Sequence, residues 1–112
     1  QKISRIIKYI HSHYSIQLRL KEVAALFELS PSYVSRMFKQ ATGFSFIEYV
    51  NAVRIKEAQR LLRETEKKVI EIASEVGFEN IAHFGRVYKQ VTKQSPLQYR
   101  KSLMNERKAL MH

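Results

Sequence analysis

A thirteen-residue stretch occurs twice in this chain, fifty residues apart, and nothing else constrains its fold as strongly. Ser30 to Thr42 lies over Asn80 to Thr92, with Arg36 over Arg86, Lys39 over Lys89, Gln40 over Gln90 and Thr42 over Thr92. The match runs on through Ser45 over Ser95 and Tyr49 over Tyr99. Upstream it resumes one residue out of step, with Glu22-Val23-Ala24 over Glu71-Ile72-Ala73, so the second copy has an extra residue in the intervening turn. An internal repeat sets the architecture before any local signal is weighed. It predicts one small device built twice in a chain of 112 residues.

The period of every informative segment is helical. Ile3, Ile6, Ile7 and Ile10 form a stripe that predicts a first helix over 2–13. Leu20, Val23, Ala24 and Phe27 repeat the spacing in a short second helix. Ser30 followed by Pro31 is a helix start: serine takes a free amide, and proline sits where a missing N–H costs nothing. This third helix runs to Ala41 and stops before Gly43, which suits a left-handed cap. Ser45 and Glu48 form a capping box for a long fourth helix over 46–64, whose stripe includes Ile47, Val50, the Arg54 stem, Ala58, Leu61 and Leu62. Glu64 to Lys68 is the one linker-like run. Val69 to Val76 predicts a fifth helix ending at Gly77, Ile81 to Val91 a sixth, and Pro96 opens a seventh. The charged residues after Ser102 read as a fraying tail. No alternation of strand type occurs, so the fold class is all-α. The expected organisation is a first subdomain over 1–44, a linker helix over 45–65, a second subdomain over 66–103 and a tail over 104–112.

Charge narrows the partner. Twenty Lys and Arg face ten acids, all Glu, for a formal net charge of +10, and such a field attracts polyanions. Its distribution matters more: Ser30 to Ala41 and Asn80 to Gln94 contain no acid. Cysteine is absent, which excludes disulfides and thiolate metal sites. No apolar run reaches the roughly 18 residues of a membrane span, and no signal-peptide pattern is present. The chain opens on Gln1 rather than methionine, so a fragment of a longer protein is expected.

Helical arithmetic at about 100° per residue assigns the faces. In the third helix Val34, Met37 and Phe38 face inward. Ser32, Arg36 and Lys39 lie opposite, flanked by Tyr33, Ser35 and Gln40. In the sixth, Phe84, Val87 and Tyr88 face inward. Ala82, Arg86 and Lys89 lie opposite, flanked by His83, Gly85 and Gln90. One central Arg, a Lys a turn later and small residues near the N-terminus suit a major groove: Arg can take guanine O6 and N7 together, and Lys serves phosphates.

Together these stretches resemble the DNA-binding domain of the AraC/XylS family of bacterial transcription regulators, from about Ile3 to Arg100. The first half is carried by Val23-Ala24 through Ser30, the run Pro31 to Lys39, Thr42-Gly43, and Arg54 with Ala58 and Leu61-Leu62. The second half is carried by Ile72-Ala73, Val76-Gly77-Phe78, Phe84-Gly85-Arg86, Tyr88-Lys89, and Ser95-Pro96 with Tyr99-Arg100. The resemblance implies seven helices in two helix-turn-helix subdomains joined by the long helix, with reading helices in grooves roughly 34 Å apart on one DNA face. It implies base-edge contacts from Ser32, Ser35 and Arg36, and from Ile81, Ala82, His83 and Arg86. Expected phosphate contacts are Ser30, Tyr33, Lys39, Asn51, Asn80, Lys89 and Arg100. The implied partners are double-stranded promoter or operator DNA, with RNA polymerase as a second candidate and an upstream sensor or dimerisation domain. The expected location is the nucleoid in the cytoplasm, with no membrane partner, no cofactor and no metal.

Several residues depart from the pattern or leave alternatives open. Lys93 stands where the first copy has Gly43, so its cap is expected to differ or to cost on the order of 1 kcal/mol. Lys68 is a poor N-cap for the fifth helix. Gly85 inside a helix costs about 1 kcal/mol against Ala and leaves room either for DNA or for close packing. His83 is a plain surface histidine or a DNA contact. His11 and His13 point apart on a frayed helix end, which argues against a metal. Tyr49 and Tyr99 are expected to pack each unit onto its neighbour. The second reading face has few base-reading groups, so the first is expected to dominate direct readout, with DNA shape supplying the rest. No Asp, Cys or phosphate loop gives catalysis a foothold. The rival from another class is a helical module docking on RNA polymerase or a sensor domain. Steep salt dependence would separate DNA binding from it.

Overall fold

In a computed structural model, which describes residues 2–111, the chain folds as seven helices: α1 (Lys2–His13), α2 (Leu20–Leu26), α3 (Pro31–Thr42), α4 (Phe46–Glu64), α5 (Val69–Glu75), α6 (Ile81–Thr92) and α7 (Pro96–Met111). No strand occurs among the described residues. The all-α reading stands. Two compact units divide between Arg54 and Ile55. The division falls inside α4 rather than at the ends of a separate linker over 45–65. The reason is burial: Phe46 and Val50 of α4 belong to the first core, whereas Ile55, Ala58, Leu61 and Leu62 are buried on the half that lies in the second unit.

The first unit closes around Ile6, Ile10, Val23, Val34, Phe38 and Val50. Here α3 packs against α1 and α2. The second closes around Ile72, Val76, Phe84, Val87 and Tyr88, with α6 against α5 and α7. Tyr88 stands where the first copy has Phe38. Its hydroxyl is buried beside Gln59 with no hydrogen bond of good geometry, and that burial pushes the phenol far above its ordinary range.

Both helix-turn-helix turns use one geometry. The Leu29 and Phe78 amides each reach back to an alanine carbonyl, Ala24 and Ala73, at 2.9 Å, while Glu28 and Gly77 occupy the positive-φ position at 59° and 106°. The caps of the reading helices are equally alike. Gly43 (φ 79°) and Lys93 (φ 70°) both close on the carbonyl four residues back, Lys39 and Lys89. The cap at Lys93 therefore does not differ; the lysine simply adopts the left-handed conformation. Glycine has exchanged places between the copies, serving the cap in one and the turn in the other.

The capping box of α4 is present, with Ser45 N–H donating to Glu48 Oε1 at 2.8 Å and Glu48 N–H to Ser45 Oγ at 3.2 Å. The Ser45 N–H bond to the carboxylate, first among several causes, holds the Glu48 carboxyl below its ordinary value. Ser95 and Gln98 repeat the box at α7 with a neutral side chain. At α5 the Glu71 carboxylate takes the Lys68 N–H at 2.9 Å, a half-box that compensates in part for the missing acceptor on Lys68.

Three expectations are corrected. The stretch 104–111 continues α7 instead of fraying, because Met, Glu, Arg, Lys, Ala and Leu are good helix formers and Arg107 donates to the Arg63 carbonyl at 3.1 Å; His112 lies outside the described residues. The end of α1 is held, with His13 stacked on Tyr9 at 4.0 Å and His11 bonded to the Tyr49 hydroxyl at 2.9 Å. Tyr49 and Tyr99 pack within their own units, Tyr49 edge-on to Phe38 and Tyr99 against Tyr88.

The left-handed lysine yields a direct test. Lys93→Gly is expected to stabilise the protein by about 1 kcal/mol, read as a higher urea midpoint at unchanged slope. A lower midpoint would mean that the Lys93 side-chain bond to the Gln90 carbonyl outweighs the backbone strain.

Candidate nucleic-acid interface

Each reading helix is fixed at both ends. Ser30 Oγ accepts the Tyr33 N–H at 3.2 Å, and Asn80 Oδ1 accepts the His83 N–H at 2.7 Å. At the far end Thr42 donates to the Phe38 carbonyl at 2.8 Å and Thr92 to the Tyr88 carbonyl at 2.9 Å. The same hydroxyls take the amides of Phe44 and Gln94, tying each helix to the turn that follows. Thr42 and Thr92 were legible only as identities in the repeat; their position on the half-buried side is what gives them this role.

All seven expected base readers are exposed: Ser32, Ser35 and Arg36 on α3, and Ile81, Ala82, His83 and Arg86 on α6. On α3 they come together. Pro31, Ser32, Ser35, Arg36, Lys39 and Gln40 line one shallow, open surface with Leu20 of α2. Tyr33 is 38% exposed beside it. On α6, Arg86 and Lys89 share the outward face with Ala82, and Ile81 is 43% exposed at the first turn.

The electrostatics of these faces follow from what they lack. Among the described residues the ion pairs lie elsewhere, as in Arg60 with Glu57 at 2.7 Å and Glu64 at 3.4 Å, Arg19 with Glu22, and Lys67 with Glu75. Arg36, Lys39, Arg86 and Lys89 take part in none of these pairs. Arg36, Arg86 and Lys89 are thus left to solvent and to any incoming anion, while Lys39 also lies near the Glu48 carboxylate, which it helps to hold below its ordinary value.

Gly85 resolves one of the open alternatives. A Cβ built there meets nothing within 4 Å. Packing inside the protein does not require the glycine, and its φ is not in the left-handed region.

The expected phosphate residues divide. Ser30 and Asn80 use their acceptors as N-caps and keep donors free. Lys39 and Lys89 are exposed, while Asn51 is half-buried on α4 outside the α3 cluster. Arg100 differs from expectation. Its guanidinium is half-buried and donates to three carbonyls, Leu62 at 3.3 Å, Thr65 at 3.2 Å and Lys67 at 2.7 Å. It braces the loop between α4 and α5. The first unit has the same device in another register. Arg54, only 8% exposed, donates to the carbonyls of Tyr14 at 2.8 Å and Ile16 at 2.9 Å, in the loop between α1 and α2. Burial pulls its guanidinium below the ordinary value. The sequence reading saw only the apolar stem of Arg54.

If Arg100 is a brace, Arg100→Ala removes three bonds to backbone and should destabilise the protein by about 1–3 kcal/mol, measured by urea unfolding. A loss well under about 0.5 kcal/mol would return Arg100 to the set of free surface cations.

Comparison with known proteins agrees with this geometry. A family model described as a helix-turn-helix domain matches residues 23–102. The Msm operon regulatory protein of Streptococcus mutans is 34% identical over 103 residues, which are 92% of this chain and 37% of that protein. The chain thus spans little more than a third of this curated relative. Among solved structures, the C-terminal domain of AraT, a response regulator from Geobacillus stearothermophilus, superposes with a TM-score of 0.87 at 38% identity, covering 90% of this chain and 84% of that one. The DNA-binding domain of the transcriptional factor AdpA, solved with a target DNA, superposes with a TM-score of 0.90 at 23% identity, covering 96% of each chain. This chain belongs to the AraC-type helix-turn-helix family of transcription-regulator DNA-binding domains.

Proposed function

We propose that this chain binds double-stranded DNA sequence-specifically as a single polypeptide, with α3 and α6 each in a major groove of one operator. The observation that carries the reading is the doubled face: two exposed, acid-free helices with an Arg and a Lys in the same register. It gains support from AdpA, whose domain of the same fold was solved on a target DNA. Ser32, Ser35 and Arg36 read bases in the first half-site, and Ile81, Ala82, His83 and Arg86 in the second. Ser30, Tyr33, Lys39, Asn51, Asn80 and Lys89 hold phosphates, which supply affinity and its salt dependence. Because the two faces differ, the half-sites differ and binding is directional. Within the same reading fall RNA polymerase as a second partner, an upstream sensor or dimerisation region, and residence on the nucleoid in the cytoplasm. No helix is long and apolar enough to cross a membrane among the described residues.

Selection of bound sequences from a random duplex library tests this. Two dissimilar motifs about 10 bp apart are expected, one erased by Arg36→Ala and the other by Arg86→Ala, with the Arg36 motif the more informative. Stronger relaxation by Arg86→Ala would reverse that ranking. No enrichment over bulk DNA at near-physiological salt would move the reading to a protein-docking module.

Gly85 supplies a second test on the selected duplex. Its gap costs helix stability and serves no packing, which leaves close approach of DNA as its use. Gly85→Ala is expected to stabilise the free protein by about 1 kcal/mol. The same variant should lose about 1 kcal/mol of binding, roughly fivefold in affinity. Unchanged affinity in the more stable variant would show that the gap does not face DNA.

A further inference from the structure

We propose that Gln40 and Gln90 are a further pair of base readers, each taking an adenine near the guanine of Arg36 or Arg86, so that two otherwise dissimilar half-sites share one guanine and adenine element. The inference rests on the placement of α3 and α6 in DNA and adds one residue to each reader. Differences between the copies are polarised along these helices. Toward the N-terminus the outward residues change: Ser32 to Ala82, Tyr33 to His83, and Ser35 to the half-buried Gly85. From the arginine to the helix end every exposed polar residue recurs, Arg36 as Arg86, Lys39 as Lys89 and Gln40 as Gln90.

Position on the helix puts the glutamine on the base-reading side. At about 100° per residue, Gln40 lies about 40° round from Arg36 and Ser32 as far the other way, so the three form one row along the outward face. Ala82, Arg86 and Gln90 form the same row on α6. Gln40 lines the open surface shared by Ser32, Ser35, Arg36 and Lys39, and Gln90 is exposed one turn beyond Arg86. Neither side-chain amide is bonded to another described residue. The rise from arginine to glutamine is about 6 Å, close to two base-pair steps of roughly 3.4 Å.

The chemistry selects the base. A carboxamide holds an acceptor and a donor side by side: its oxygen accepts from adenine N6–H and its NH2 donates to N7. The arginine fork meets guanine O6 and N7 in the same groove. A phosphate contact would use the donor alone and carry no base preference, and a lysine one residue earlier already offers that contact in each copy.

The experiment is selection from a random duplex library by the intact chain, then affinity measurements on the selected duplex carrying single base-pair changes. The same measurements are made with Gln40→Ala, Gln90→Ala and Lys39→Ala. Each half-site is expected to hold an adenine within about two base pairs of the guanine read by its arginine. Replacing that adenine should cost roughly fivefold or more in affinity. Gln40→Ala should flatten the preference at the first adenine alone and Gln90→Ala at the second alone, with both guanines retained. Lys39→Ala should weaken all sequences alike, the signature of a phosphate contact. That uniform loss in the glutamine variants, motifs they leave unchanged, or an adenine lost in one half-site only would overturn the shared element while leaving DNA binding intact. Failure of every chain to enrich any duplex would overturn the DNA reading along with it.

Discussion

The pose of each reading helix depends on a guanidinium bonded to backbone carbonyls. Arg54 holds the loop that delivers α2, and Arg100 holds the loop that delivers α5. These short helices support α3 and α6 in turn. Units of about fifty residues have little apolar area to spare, and a loop running over such a core has carbonyls with no helix to satisfy them. A planar donor with several N–H groups meets several of these carbonyls at once. Lysine would offer one point charge where three acceptors are spread. The identity of these residues follows from that geometry, and the outward reading faces inherit their position from it.

Much of the fold was legible in the sequence because its signals are local. Helix periodicity, the Ser30 and Asn80 caps, the Ser45–Glu48 box and the inward and outward faces of α3 and α6 all act over three or four residues. The exposure of the two acid-free faces was legible for the same reason, sharpened by comparison of one copy with the other. The residues whose partners the local pattern did not give act at long range. Arg100 reaches carbonyls 33 to 38 positions away, and His11 meets Tyr49 across 38. Nothing in their neighbours distinguishes a bracing arginine from a free one. The tail failed differently: residues 104–111 have helix propensity but no apolar pattern that packing would demand, so periodicity gave no sign of a continuing α7.

The copies share a scaffold and differ where chemistry is read. Hydroxyls at Thr42 and Thr92, tyrosines at 49 and 99 and the arginine-lysine pair recur, whereas the flanking groups change: Ser32 to Ala82, Tyr33 to His83, Ser35 to Gly85. Each change removes a hydrogen-bonding hydroxyl, and only the imidazole of His83 replaces one with another polar group. The first copy is richer in groups that name a base. The second is poorer in them, and at Gly85 it carries no side chain at all.

α4 completes one core with its first half and begins the other with its second. Seven helices thus do the work of two four-helix units, one helix being counted in both. A protease that nicked α4 near its middle would expose Val50 on one side and Ile55 on the other, opening both interiors together. Damage at the middle of this one helix therefore reaches the packing of both interiors.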